Sequence, residues 1–445
     1  MLNFPRGLYS DVRIEEVWST SAGLVLGKLE QFVSRHYRAA FIRVWDGVRW
    51  YYASTSSVDS IQSELDSLAA MASPAEDILD DPVVRRLGCA TGRRILFDAG
   101  HVAGVETSDK LAKLRSSAEP LERRAGLADS RCYYIDNNKR KTFLSSLGAD
   151  LEFDRQTVLL VAAFEVAHGE SRLREKCHVG AGTFADLPDL VPVLEERLDE
   201  AASFVRDSRP VDGGRMPVVL SPMAAGIFAH ESFGHKSEAD FMLGDESMLA
   251  EWAMGRRVGS EELNIVDDGT VSGPGYNAYD DEGTPSRRTW LVRDGLLAGR
   301  LHSASTAAAL GEEPTGNARS ISFEYEPIPR MTTTFILPGR ETFDGLVSGI
   351  DDGLFVKTVN HGSGLSTFTL APSMSYRIRG GRLAEPVGVS VITGDVMETL
   401  GLIDGLSGEL DLRGAGGGGC GKMEQYPLPV GFGGPFVRVG AMEVR

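Results

Sequence analysis

Lysine and arginine are in short supply in this chain: 46 against 63 aspartates and glutamates, a formal net charge of −17 over 445 residues. Direct nucleic-acid binding needs a compact basic stripe to neutralise phosphates, and none occurs. Cysteine is scarcer still. Cys89, Cys132, Cys177 and Cys420 lie far apart and form no disulfide framework, which fits reduced thiols and a cytoplasmic setting. Long apolar runs are also missing: none approaches the roughly 18 residues that a membrane span requires. The opening Met1-Leu-Asn-Phe-Pro-Arg-Gly7 shows no basic-then-apolar signal pattern. What remains is an ordinary globular composition, 42% hydrophobic and 24% charged, long enough for two or three cored domains.

The hydrophobic pattern predicts an α+β class: an N-terminal sheet-and-helix domain over 1–210, then a mainly β C-terminal domain over 211–445. Residues 10–55 read as a β-meander with a type I′ hairpin signal at Asp46-Gly47. Helical spacing follows over Ser57–Met71, over Ser108–Arg124 (with Pro120 a possible early stop) and over Asp189–Asp207. The Gly- and Pro-rich Arg209–Pro217 is the expected linker. Beyond residue 264, short strands are expected between the turns Asp294-Gly295, Asp344-Gly345, Asp352-Gly353, Asn360-His-Gly362 and Gly380-Gly381.

One stretch concentrates chemistry: Ser221-Pro-Met-Ala-Ala-Gly-Ile-Phe-Ala-His-Glu-Ser-Phe-Gly-His-Lys-Ser-Glu-Ala-Asp240. Ser221 is placed to cap a helix with Pro222 in its first turn. His230, Glu231 and His235 then fall within six residues, the raw material of a metal-hydrolase site. In the commoner zinc helix the two histidines stand four apart. Here they stand five apart, and five residues of regular α-helix advance about 500°, leaving the rings roughly 140° apart. A π-bulge realigns i with i+5, so a distorted or terminating helix is expected between Glu231 and His235, with Gly234 easing the deformation. The competing reading is an ordinary polar helix face.

Catalytic zinc usually takes three protein ligands. Cys420, in Gly414-Ala-Gly-Gly-Gly-Gly-Cys-Gly-Lys422, is the candidate third; its plainer alternative is a small buried hydrophobe. The same loop spells a phosphate-binding loop up to Lys422. Met423 then stands where Ser or Thr should hold magnesium, and two prolines follow where a helix should start, which excludes a nucleotide site. Glu231 is the natural general base. Glu238 and Asp240 are candidates to orient the imidazoles, against a solvated helix end. His361 sits in a predicted loop as a weaker candidate, His302 is open to either role, and His36, His101, His168 and His178 default to structure.

With those residues laid out, the chain resembles the TldD/PmbA family, which includes zinc metalloproteases once called modulators of DNA gyrase. The resemblance rests on His230–Asp240, Val266-Asp-Asp-Gly-Thr270, Asp280-Asp-Glu-Gly-Thr-Pro285, Pro314-Thr-Gly-Asn317, Pro329-Arg-Met-Thr332 and Cys420-Gly-Lys422. It implies one Zn2+ per active chain (iron not excluded) on His230, His235 and Cys420, with Glu231 catalytic. It also implies cleavage of unfolded or extended peptides by a homodimer, or by a heterodimer with a TldE/PmbA-like subunit. The four glycines before Cys420 make a longer run than the family usually shows. Two other functions remain open on the sequence: a non-catalytic partner subunit of a protease complex, and a metal-dependent amidase of small molecules.

Overall fold

The meander expected over residues 10–55 is built from two long strands and a short one. Residues 10–25 are one strand, Tyr9–Val25, paired antiparallel to Lys28–Trp45 through a tight turn at Leu26 and Gly27, both at positive φ. The I′ geometry therefore sits there and not at Asp46-Gly47. That second corner is a four-residue loop closed by Trp45 opposite Trp50, with the Asp46 carboxylate accepting the Val48 and Arg49 amides at 2.9 and 3.0 Å. The computed structural model describes residues 2–414 and 416–445. In order, its first sheet runs Trp50–Thr55, Lys28–Trp45, Tyr9–Val25, Leu127–Ser145, Asp150–His168 and Thr91–Arg94, with Ser171–Ala181 also paired to Asp150–His168.

Strand alternation gives this sheet two faces with different tasks. On one face Tyr134, Leu160, Ala162 and Phe164 pack against Leu114, Ala118 and Leu121 of helix Thr107–Arg123 and against Leu194, Leu198 and Ala201 of helix Val191–Asp207. Pro120 does not end its helix, which runs on to Arg123. The other face carries Arg13, Glu15, Lys139 and Lys141, which meet Asp281, Ile321 and Ser322 of the second half.

The second half is mainly β, as expected for an α+β chain of this pattern. The expected linker is partly strand: Arg209–Pro210 and Gly214–Leu220 both join a ten-stranded sheet. Gly214–Leu220 lies between Val437–Val444, antiparallel, and Asp352–Val356, parallel. At one edge of that sheet lies Val359–Gly364. A six-stranded sheet ends in Thr333–Ile336, Gly431–Gly434 and Asp411–Gly414. Two of the five expected Gly turns are tight hairpins, at Asp294-Gly295 and Gly380-Gly381, each with both residues at positive φ. The other three are corrected: Asp344-Gly345 lies inside helix Phe343–Ser348, Asp352-Gly353 opens a strand, and Asn360-His-Gly362 lies within Val359–Gly364. Asp-Gly and Gly-rich pairs mark a turn only where φ turns positive, and none of these does.

Candidate metal centre

Strand Gly214–Leu220 delivers the chain to Ser221, whose hydroxyl accepts the Ala224 amide at 3.2 Å and donates to the Lys357 carbonyl at 2.8 Å. The helix it caps runs α-helical over Pro222–Ile227, widens to a π-helix over Phe228–Gly234, and tightens to a 3-10 turn over His235–Ser237. Its apolar residues fasten it: Phe228 packs edge-on to Phe368 and Phe233 lies 4.9 Å from Trp252, all four fully buried. Each such aromatic contributes about 1.5–3 kcal/mol of burial, which holds the widened turns in place. Gly226 lets the helix close on the six-stranded sheet, since a Cβ there would fall 2.5 Å from the Gly433 amide nitrogen.

The widening does what the five-residue spacing demanded. His230 and His235 lie on one side, ring centroids 5.3 Å apart with planes at 76°. Gly234 serves differently than expected. Its backbone is ordinary helix, φ −59° and ψ −50°, and what excludes a side chain is Met331, whose Sδ would lie 2.1 Å from a Cβ.

Cys420 reaches the pair from a short hairpin, Cys420–Lys422 with Gln425–Leu428. Its Sγ lies 3.4 Å from His235 Nε2, and the ligand atoms of His230, His235 and Cys420 all fall within 4.8 Å of one another. The hairpin is held by Arg330, which donates to the carbonyls of Cys420 and Gln425 at 2.9 and 3.3 Å. Gly419 permits the approach, because a Cβ there would lie 2.4 Å from the Leu428 carbonyl oxygen.

Electrostatics sharpen the cluster. Burial pushes the Cys420 thiol up, but His230 and His235 overcome it and bring it down to about 5. Burial also disfavours charge on His235, yet Glu238 and Cys420 push it up to about 11. Glu238 Oε2 lies 3.1 Å from His235 Nδ1. Despite burial, Lys422 and His235 hold Glu238 down at about 2. Asp240, expected to orient an imidazole, instead accepts from Lys422 at 2.6 Å. The Glu231 side chain is 32% exposed at the edge of the cluster, with Oε2 4.0 Å from His235 Nε2. His361 is exposed on strand Val359–Gly364 and, among the described residues, makes no hydrogen bond to the cluster. His302 is buried between Thr306 and Glu312, a structural pairing. Lys422 and Arg330 were overlooked by sequence reasoning. Their one signal was that each stands inside a block carrying the family resemblance.

The donor set fits a metal. Two imidazoles and a thiol in its anionic range are the ligands that soft and borderline divalent ions prefer. His230 Nδ1 is buried without a hydrogen-bond partner among the described residues, as an atom awaiting a ligand would be.

A family model described as the PmbA/TldA metallopeptidase C-terminal domain matches residues 213–445, and one for PmbA/TldA metallopeptidase domain 1 matches 10–74. The chain is 32% identical to a metalloprotease of Methanothermobacter thermautotrophicus, over 97% of this chain and 94% of the relative. It is 30% identical to a zinc metalloprotease TldD homolog of Saccharolobus solfataricus, over 70% of each. A crystal structure of TldE from Thermococcus kodakarensis shares the fold with a TM-score of 0.76 at 16% identity, covering 98% of this chain and 96% of the other.

Proposed function

Because the chain belongs to the PmbA/TldD metallopeptidase family, we propose that it is a zinc-dependent peptidase acting on unfolded or extended peptides, with Glu231 as its general base. The observation that carries this is the convergence of His230, His235 and Cys420 beside a half-exposed carboxylate. A zinc ion held by those three residues would supply Lewis acidity toward water and the scissile carbonyl. The thiolate favours zinc over magnesium or calcium, and the Saccharolobus relative carries zinc in its name.

Glu231 takes the proton of the attacking water and delivers it to the leaving amine. Its partial exposure suits that role, since the carboxylate must meet solvent and substrate in turn. Edge strand Val359–Gly364 runs alongside: a Cβ at Gly362 would lie 3.3 Å from Glu231 Cγ. A peptide added to that edge by main-chain pairing lies beside Glu231 with little dependence on its side chains. We place the domain division near residue 210, the protein in the cytoplasm, and its working form as a homodimer or a heterodimer with a TldE-like subunit. A TldE-named protein shares this fold, so the donor set, and not the fold, separates a catalytic chain from a silent partner.

The test is Glu231→Gln, assayed alone and with any co-purifying homologous subunit. Cleavage of an unfolded peptide should fall about 10²- to 10⁴-fold while zinc content stays unchanged. Full activity in the variant would sink the mechanism, and cleavage of small amides in preference to peptides would replace the substrate class.

A further inference from the structure

We propose that Lys422 is a positioning residue that assembles the donor set before any metal arrives, by locking Glu238 against His235 from the same strand that carries Cys420. The inference rests on the metal reading above and adds a residue that reading does not use.

The Lys422 side chain is 1% exposed, so it touches neither solvent nor substrate. Its ammonium donates to Asp240 Oδ1 at 2.6 Å and to the Pro329 carbonyl at 2.9 Å, and forms an ion pair with Glu238 Oε2 at 3.0 Å. The face of Phe241 covers it at 4.4 Å. A buried lysine held between two carboxylates and a carbonyl is a charge fixed in space, and it needs its carboxylates as much as they need it. Glu238 is fully buried, and its Oε1 has no partner among the described residues. Its anchorage is therefore Oε2 alone, shared between Lys422 and His235 Nδ1.

That sharing has a directional consequence. An ionised Glu238 accepts a hydrogen bond, so it draws the imidazole proton to Nδ1 and leaves Nε2 to face Cys420 Sγ. Lys422 stands two after Cys420 on a strand whose pairing shifts register between them, and the two side chains meet neighbouring atoms of one unit, Cys420 Sγ at His235 and the Lys422 ammonium at Glu238. The ammonium thus pins the hairpin to the segment 235–240 at the place where the thiol meets the imidazole. Without it, Glu238 keeps a buried charge with His235 as its one side-chain contact, and the carboxylate that favours a proton on Nδ1 loses its anchor to the hairpin.

The experiment uses the full chain with Lys422→Met, Lys422→Arg, Glu238→Gln and Asp240→Asn. Long-range ¹H–¹⁵N NMR of histidine-labelled, metal-free protein reports the His235 tautomer, assigned by loss of its signal in His235→Gln. Wild type and Asp240→Asn should show Nδ1 protonated, whether the ring is neutral or charged, while Lys422→Met and Glu238→Gln should show Nδ1 partly unprotonated. Titration with cobalt(II), followed by its thiolate charge-transfer band, should be weakened about 10- to 100-fold in Lys422→Met, with Lys422→Arg recovering part of the loss. An unchanged tautomer, with cobalt affinity within about twofold of wild type, would overturn the inference. If Lys422→Met does not fold, Glu238→Gln decides it by the same two readouts. Wild type that takes up no cobalt would overturn the metal reading, and the tautomer measured without metal would still decide the role of Lys422.

Discussion

Two buried polar clusters, one on the inner face of the first sheet and one on the widened helix, are built on opposite rules. In the first, charges complement each other. Lys139 lies 2.8 Å from Glu15, Arg13 lies 3.3 Å from Glu15 and 3.5 Å from Asp281, and Lys141 pairs with Asp281. Backbone groups take up further capacity: Asp281 accepts the Ser320 amide at 2.8 Å, and Lys139 donates to the Ile321 carbonyl at 2.7 Å. In the second, two imidazoles and a thiol converge: the ligand atoms of His230, His235 and Cys420 fall within 4.8 Å of one another, with Glu238 beside His235. Burial of either kind is costly unless it is compensated. The first cluster is compensated by its own residues and joins the two halves of the chain. The second is compensated in part by Glu238 and Lys422, and on the proposed function by the metal ion it would hold.

Removing one member of each cluster should separate these two kinds of cost. Cys420→Ala has the largest expected effect on function: zinc should fall from about one per chain to background, and peptide cleavage with it. The metal-free variant should unfold close to metal-free wild type, because a small buried side chain replaces another. Retention of stoichiometric zinc would make Cys420 a packing residue. Asp281→Asn should do the reverse. It leaves Lys141 and Arg13 buried with half their carboxylates, which costs about 3–5 kcal/mol, read as a lower urea midpoint. The fraction that stays folded should bind zinc as wild type does. Equal stability would mean that this network contributes nothing net, and lost zinc affinity would mean that the two clusters are coupled.

How far the sequence disclosed these clusters follows from how local each one is. The helix cap at Ser221, the π-widening and the near approach of Cys420 were legible, since each follows from spacing or from ligand chemistry. The turn signals in the β half were half legible: Asp-Gly pairs suit both hairpin turns and helix starts, and Asp344 took the second role. Gly234 was placed correctly and explained wrongly, because its constraint is Met331, 97 positions away in the chain. Lys422 was dismissed with the phosphate-loop spelling around it, and only the fold shows that its partners are Glu238, Asp240 and Pro329. The ionic cluster was not foreseen at all. Its members are scattered from Arg13 to Asp281, and charged residues on strands read as solvent-facing until their partners are known.

His178 tests the comparison at its weakest point, where the first sheet touches the glycine loop that leads to Cys420. A Cβ at Gly416 would lie 2.7 Å from His178 Nδ1, so the ring sits directly against that loop. It belongs to neither rule: among the described residues it has no anionic partner, and burial, with Arg413 and Lys176 nearby, pushes it down to about 4. The folded chain therefore holds His178 neutral where an unfolded histidine, near 6.5, takes up a proton. The unfolded state binds more protons between those values, so the stability His178 allows is complete above about pH 6.5 and is lost as pH falls toward 4. Carboxylates titrate over part of the same range, and comparison with His178→Gln subtracts them. The urea midpoints of the two proteins should coincide at pH 7.5. At pH 4.5 wild type should be the weaker, by about 1–3 kcal/mol. Parallel losses in both would show that the ring is already solvated or partnered, and that the loop rests on the sheet without constraint from His178.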